Sequence, residues 1–323
     1  MDRRHMLGVM AALASSGFLN TVRAQGEHGQ PLHVIVPFPP GGGTDTLGRA
    51  LSFSLEKILK RSAVVENKPG ASGIVGAEYV AKSPADGNTL LFSGLVPSIR
   101  YYGRPVSRIG DELAPVCTVA RSPYLIAVNP EVPAKDLSAL IALAKAAPGK
   151  YTFGSPGNAT PQHLATERFC SQVGIDLLHV PYRGTGPMMT DLVGGQIQVV
   201  FATVAAAEQQ VKSGRLRALA VTSAERLARL PDVPTAVEAG VPGFEAEITF
   251  GTYVAAASSK EDIARLNEAI NQALKDAEVK RTLSEHGFIP VGGTADDLKK
   301  SLVAEVEAVS GLVKSGKVRV NAV

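Results

Sequence analysis

An α/β fold with mainly parallel sheet is predicted by two features of this 323-residue chain. Short β-branched runs alternate with stretches whose apolar residues recur at helical spacing. Glycine- and proline-rich turns join strand ends to helix starts, as in Val34-Ile35-Val36-Pro37-Phe38-Pro39-Pro40-Gly41-Gly42-Gly43-Thr44-Asp45. A chain of about 300 residues, once an N-terminal leader is set aside, is long enough for two lobes of ordinary domain size.

The leader comes first. Arg3 and Arg4 precede an apolar stretch from Met6 to Leu19, and Val22-Arg23-Ala24 stands ahead of Gln25. This is the pattern of an export signal over residues 1–24. The stretch is too short and too interrupted to cross a bilayer. Arg3-Arg4-His5-Met6-Leu7 is compatible with the twin-arginine route, but the general secretory route is the plainer reading. The mature protein is therefore expected to be soluble and periplasmic. Removing Asp2, Arg3, Arg4 and Arg23 leaves 30 basic against 29 acidic side chains, a net charge of +1. A nearly neutral chain gives no support for nucleic-acid binding.

Strands are expected at 32–37, 63–66, 89–93, 115–120, 123–128, 151–154, 176–180, 197–201, 216–222 and 250–256. Helices are expected at 45–60, 73–82, 136–147, 161–172, 187–194, 205–213, 262–275, 278–286 and 295–314. The first helix follows from Leu47, Ala50, Leu51, Leu55, Ile58 and Leu59 on one face. The last carries Leu298, Leu302, Val306, Val309 and Val313 as a core stripe. The Met188-Met189 pair is most simply core packing. Cys117 falls in a strand and Cys170 in a helix of a different region, so both are expected to be free and buried. Two cysteines without a histidine cluster make a poor metal site, and no metal or cofactor is expected.

The turns carry the chemistry. Gly41-Gly42-Gly43-Thr44 lies between a strand end and a helix N-terminus, where backbone N–H groups are unpaired and the helix dipole adds positive charge. No lysine follows to make a P-loop, and Thr46 breaks a dinucleotide fingerprint. Alone, the turn could serve geometry only. A second follows Tyr151-Thr152-Phe153, running Gly154-Ser155-Pro156-Gly157-Asn158-Ala159-Thr160, with Thr160 as N-cap and Pro161 first in its helix. A third is Pro181-Tyr182-Arg183-Gly184-Thr185-Gly186-Pro187. Ligands of open α/β sheets sit outside the carboxyl ends of the strands, where all three turns fall. Together they point to two lobes facing one cleft.

Single side chains divide between ligand contact and support. Asp45, at a helix start, is read as holding its loop, with ligand contact as the alternative. Thr203 either faces the cleft or caps the following helix. Arg183 either pairs with a ligand carboxylate or stays solvated at the rim. His163 and Ser155 invite a nucleophile reading, but Gly-Ser-Pro-Gly is not the nucleophile elbow and no motif places an acid. His163 is therefore read as holding the loop or touching ligand, with no catalytic residue assigned. Phe38 and Gly94 complete the expected lining.

Phe38-Pro39-Pro40-Gly41-Gly42-Gly43-Thr44-Asp45 resembles the first motif of the Bug family of periplasmic solute-binding proteins, relatives of the tripartite tricarboxylate transporter receptors. Glu66-Asn67-Lys68-Pro69-Gly70-Ala71-Ser72-Gly73, Ser83-Pro84-Ala85-Asp86-Gly87 and His179-Val180-Pro181-Tyr182-Arg183-Gly184 match further motifs, in order. So do Asp191-Leu192-Val193-Gly194-Gly195-Gln196 and Leu230-Pro231-Asp232-Val233-Pro234-Thr235. The resemblance implies a type II periplasmic binding protein. Two α/β lobes would be joined by two crossovers, with residues 25–125 plus 248–323 in one and 126–247 in the other. It also implies a small carboxylate or related solute, held by backbone amides of opposed loops and by ordered waters. Gly42, Gly43 and Thr44 would then face Ser155, Gly157 and Asn158. Permease subunits or a sensor would be the partners of a monomer. The chain departs from the family at Thr249-Phe250-Gly251, where tryptophan is usual, and at Ala255-Ala256-Ala257-Ser258-Ser259-Lys260. An exported hydrolase or transferase using Ser155 and His163 is the competing reading.

Overall fold

The computed structural model describes residues 29–94 and 112–314, so the export signal expected over residues 1–24 lies outside the described residues. The first lobe opens with β1 (Leu32–Val36), α1 (Gly43–Leu59), β2 (Ala63–Asn67), α2 (Ile74–Ala81) and β3 (Thr89–Ser93). β1 lies between β2 and β3, parallel to both. Its inward residues Leu32, Val34 and Val36 meet Leu47, Leu51 and Leu55 of α1, all essentially inaccessible to water. α1 begins at Gly43, two residues before the expected start, and ends on Lys60 in the left-handed conformation.

The long strand β4 (Leu113–Val128) leads into the second lobe. There follow α3 (Leu137–Ala146), β5 (Thr152–Ser155), α4 (Pro161–Val173), β6 (Leu178–Pro181), α5 (Thr185–Val193), β7 (Val199–Thr203), α6 (Val204–Lys212) and β8 (Arg217–Val221). β5 lies between β6 and β7, parallel to both. Met188 and Met189 of α5 pack with Leu192, Ile197, Val200 and Val221 in this lobe's own core. The chain returns along β9 (Glu247–Ala255) to α7 (Lys260–Ala273), α8 (Ala277–Glu285), β10 (Ile289–Pro290) and α9 (Ala295–Lys314). Leu298 is buried against Ile35 and Tyr253, with Leu302 partly buried beside it. The remaining stripe positions, 306, 309 and 313, lie outside the residues whose side chains are described.

Two expectations differ from the structure. The sheet is mixed: its parallel ladders stay within each lobe, whereas β4 and β9 pair antiparallel with each other and with their neighbours. Strands that cross between lobes and return must run in opposite senses. The segments expected as strands 115–120 and 123–128 form one strand of 16 residues. Pro123 has no N–H to donate, and it stands where β4 exchanges partners. Up to Pro123 the strand pairs with β9; from Tyr124 onward it pairs with β7 and β8. The Tyr124 N–H donates to the Thr222 hydroxyl oxygen at 2.8 Å, and Thr222 Oγ1 lies 2.5 Å from the Ala246 carbonyl, just before β9. Cys117 and Cys170 are both buried and unpaired with each other.

Candidate ligand-binding cleft

A cleft of about 520 Å³ lies between the lobes, and the N-termini of four helices open into it. Gly42, Gly43 and Thr44 come from the start of α1; Pro161 and Gln162 from α4; Gly184, Thr185 and Gly186 from α5; Thr203, Ala205 and Ala206 from α6. None of these four helices has a side-chain cap on its first N–H groups. By contrast Asp136, Ser259 and Asp276 cap α3, α7 and α8, none of whose starts lines the cleft. (α2 is uncapped too, but it grows out of a 3₁₀ turn at 71–73.) Uncapped amides need an acceptor from outside the helix, and four dipoles together favour a negative charge. Among the described residues, Arg183 is the one arginine or lysine on the lining, and no aspartate or glutamate lines it.

The remaining walls are apolar. Phe38, Met189, Ile248, Phe250 and Phe288 contribute them. Phe250 and Phe288 meet edge-to-face, with ring centroids 5.3 Å apart. Gly43 is pressed close to this corner: a Cβ there would lie 3.2 Å from Phe288 Cζ and 3.9 Å from Ala205 Cβ. That second contact is between lobes, as is the approach of Gly157 to Ser72.

Asp45 is turned away from the cleft and braces its loop. Its Oδ2 accepts the Gly41 N–H and Arg49 Nε at 3.0 Å each, and its Oδ1 accepts Asn67 Nδ2 at 2.9 Å. Burial alone would raise its carboxyl, but these three donors outweigh that and hold it below the usual carboxylate range. Asp45→Ala is expected to lower stability by about 2–3 kcal/mol, because Asn67 and the Gly41 amide lose a charged acceptor. Urea denaturation at pH 7 measures this; a loss within error of zero would contradict the bracing role.

The second loop is held by a histidine stack. The Ala159 N–H donates to His163 Nδ1 at 2.9 Å, which makes that nitrogen unprotonated. His163 lies over His179 with centroids 3.8 Å apart and planes 9° from parallel, and Phe153 stacks against both rings, its centroid 4.8 Å from that of His179 and 5.9 Å from that of His163. His179 Nε2 is 2.6 Å from Ser155 Oγ. Ser155 Oγ in turn donates to the Gly157 carbonyl and accepts the Gly157 N–H. Ser155 is wholly inaccessible and His163 nearly so. A hydroxyl sealed in this way cannot reach a substrate carbonyl, so the arrangement gives no support to a hydrolase.

The family profile described as tripartite tricarboxylate transporter family receptor matches residues 47–318. The chain belongs to that family. BugT of Bordetella pertussis is 34% identical over 325 residues, spanning 97% of this chain and 98% of that protein. A protein of R. palustris solved with adipate is 30% identical, with a TM-score of 0.83, and covers 88% of this chain and 97% of its own. MatC of Rhodopseudomonas palustris, solved with bound malate, is 27% identical with a TM-score of 0.82, covering 88% and 98%. The fold is that of the two-lobed type II periplasmic binding proteins, and this chain is a periplasmic solute-binding receptor.

In this receptor, Phe38, Gly42, Gly43, Thr44, Gly94, Arg183 and Thr203 line the cleft. Arg183 is exposed at the rim, whereas Thr203 is buried at the start of α6. Asp45, Ser155, Gly157, Asn158, Thr160 and His163 do not line it. They shape the two loops that do, with Pro156 reaching the cleft from the second. Thr160 Oγ1 donates to the Gly157 carbonyl rather than capping its helix. Sequence reasoning missed Gln162, Ile248, His286 and Phe288 on the lining, and His179 as the partner of Ser155. Phe250 had a signal, since it stands where the family usually carries tryptophan.

Proposed function

We propose that the receptor captures a small carboxylate between its lobes and releases it unchanged, either to the permease subunits of a tripartite tricarboxylate-type transporter or to a sensor. One observation carries this reading: four helix N-termini without side-chain caps share one cleft on which, among the described residues, no acidic side chain lies. A carboxylate supplies the acceptor oxygens those amides lack, and Phe250 and Phe288 offer an apolar seat for its carbon body. The adipate and malate found with its relatives belong to the same chemical class. The residues proposed to shape the site are Phe38, Gly42, Gly43, Thr44, Gly94, Arg183 and Thr203 at the solute. Asp45, Ser155, Gly157, Asn158, Thr160 and His163 stand behind them. The lobes would divide as 25–125 plus 248–323 and 126–247, in a monomer exported through the general secretory route and carrying out no chemistry of its own.

A thermal-shift screen over mono-, di- and tricarboxylates is the direct test. A bound solute stabilises by RT ln(1 + [L]/Kd), about 3–4 kcal/mol at 100 to 1,000 times Kd. We expect such shifts for at least one carboxylate, with the compound recovered intact. Shifts given only by cationic amines, or conversion of the solute, would overturn the reading.

A further inference from the structure

A contact reaches from the second lobe to the end of α8 in the first, two residues before the cleft-lining His286–Phe288 segment. Arg229 donates from Nε and Nη2 to Glu208 Oε2 on α6, at 2.9 and 2.7 Å. Its other donors cross to the opposite lobe: Nη1 to the Ser284 carbonyl at 2.6 Å and Nη2 to the Glu285 carbonyl at 2.9 Å. Those two carbonyls belong to the last turn of α8, where the Ser284 carbonyl also accepts the Gly287 N–H at 3.0 Å, and a cation at a helix C-terminus complements its dipole. Glu208 is buried and takes a second cation, Lys212 Nζ, at 2.6 Å. It anchors the guanidinium so that its planar fork faces α8.

The segment held in this way leads straight to the cleft. His286 and Phe288, the next residues but for Gly287, both line the cleft. Gly287 itself abuts the first residue of α6: a Cβ there would stand 2.7 Å from Val204 Cγ1, and its φ of +68° is left-handed. α6 therefore presents its N-terminus to the cleft and, one turn later, the Glu208 anchor. We propose that Arg229 is a positioning residue that latches the lobes together, setting how long a solute stays bound by pinning His286 and Phe288 against α6. The dependence on solute rests on the binding reading above. The interlobe contact stands without it.

The experiment is small-angle scattering of the mature chain and its Arg229→Met and Arg229→Lys variants, without solute and across a titration with adipate or malate. Methionine keeps the apolar stem and loses every donor; lysine keeps one charge. Arg229 is about a third exposed, so folding of both variants is expected, and circular dichroism checks it. We expect the methionine variant to need about tenfold more solute to reach the compact radius of gyration, with lysine between. Stopped-flow should place the change in the dissociation rate, which loss of a merely structural contact remote from the cleft would leave unaltered. If neither acid compacts the wild-type chain, the carboxylate choice fails separately, and the solute-free comparison decides: a larger radius for Arg229→Met supports the latch. Equal radii and equal solute dependence for all three chains would overturn it.

Discussion

Gly157→Ala is expected to weaken solute binding on the order of 100-fold while both lobes remain folded. Gly157 sits at φ +153°, where an L-residue costs roughly 1–3 kcal/mol. The added methyl would also stand 2.3 Å from Ser72 Oγ and 3.0 Å from its Cβ, a contact between the lobes. The clash arises only when the lobes meet, so it falls on the closed, solute-holding state. Titration calorimetry reads the affinity. Pairing the change with Ser72→Gly separates its two sources, because Ser72 itself has a positive φ that glycine adopts freely. Recovery of most of the affinity in the double variant is expected. An unchanged affinity in Gly157→Ala would mean that the 155–160 loop does not meet Ser72 when solute is bound.

Acid should destabilise this receptor through His179. Burial, and then the neighbouring His163 ring, push its imidazole from 6.5 down to about 3. Between those values the unfolded chain binds a proton that the folded chain refuses, so stability falls as the pH drops from 6.5 toward 3. Above 6.5 neither state is protonated and the contribution is fully present. Discounted for the partial exposure of the ring, the loss between pH 6.5 and pH 4 is about 2 kcal/mol. His179→Gln can still hydrogen-bond Ser155 but cannot titrate. Its melting temperature is expected to fall less steeply over that window than the wild-type value, and parallel profiles would dismiss His179 as the cause.

The parts of the fold written in short-range pattern were legible in the sequence. Leu47, Leu51 and Leu55 declare α1 by their spacing, and Thr160-Pro161 declares the start of α4. The glycine turns were legible for the same reason, since their backbone demands fall on a few consecutive residues. The continuity of β4 was not. It depends on which strands lie beside Pro123, and no local rule carries that information. The rear wall of the cleft was hidden likewise. His286, Phe288 and Ile248 lie more than 200 residues from the Gly41–Thr44 turn in sequence and have no period of their own. Ser155 illustrates the reverse: its position in a glycine turn suggested that it faces the opposed loop, yet its hydroxyl is buried against His179 of the neighbouring strand.

The exchange of partners at Pro123 has a mechanical consequence. Creasing a sheet ordinarily breaks rungs, which makes a through-running strand stiff. Here Pro123 has no N–H to give to the ladder, and the Tyr124 amide donates to the Thr222 hydroxyl. Rotation of the lobes about this point is expected to leave the backbone ladders intact on either side, so that little of the energy gained on seizing a solute would go into bending the protein.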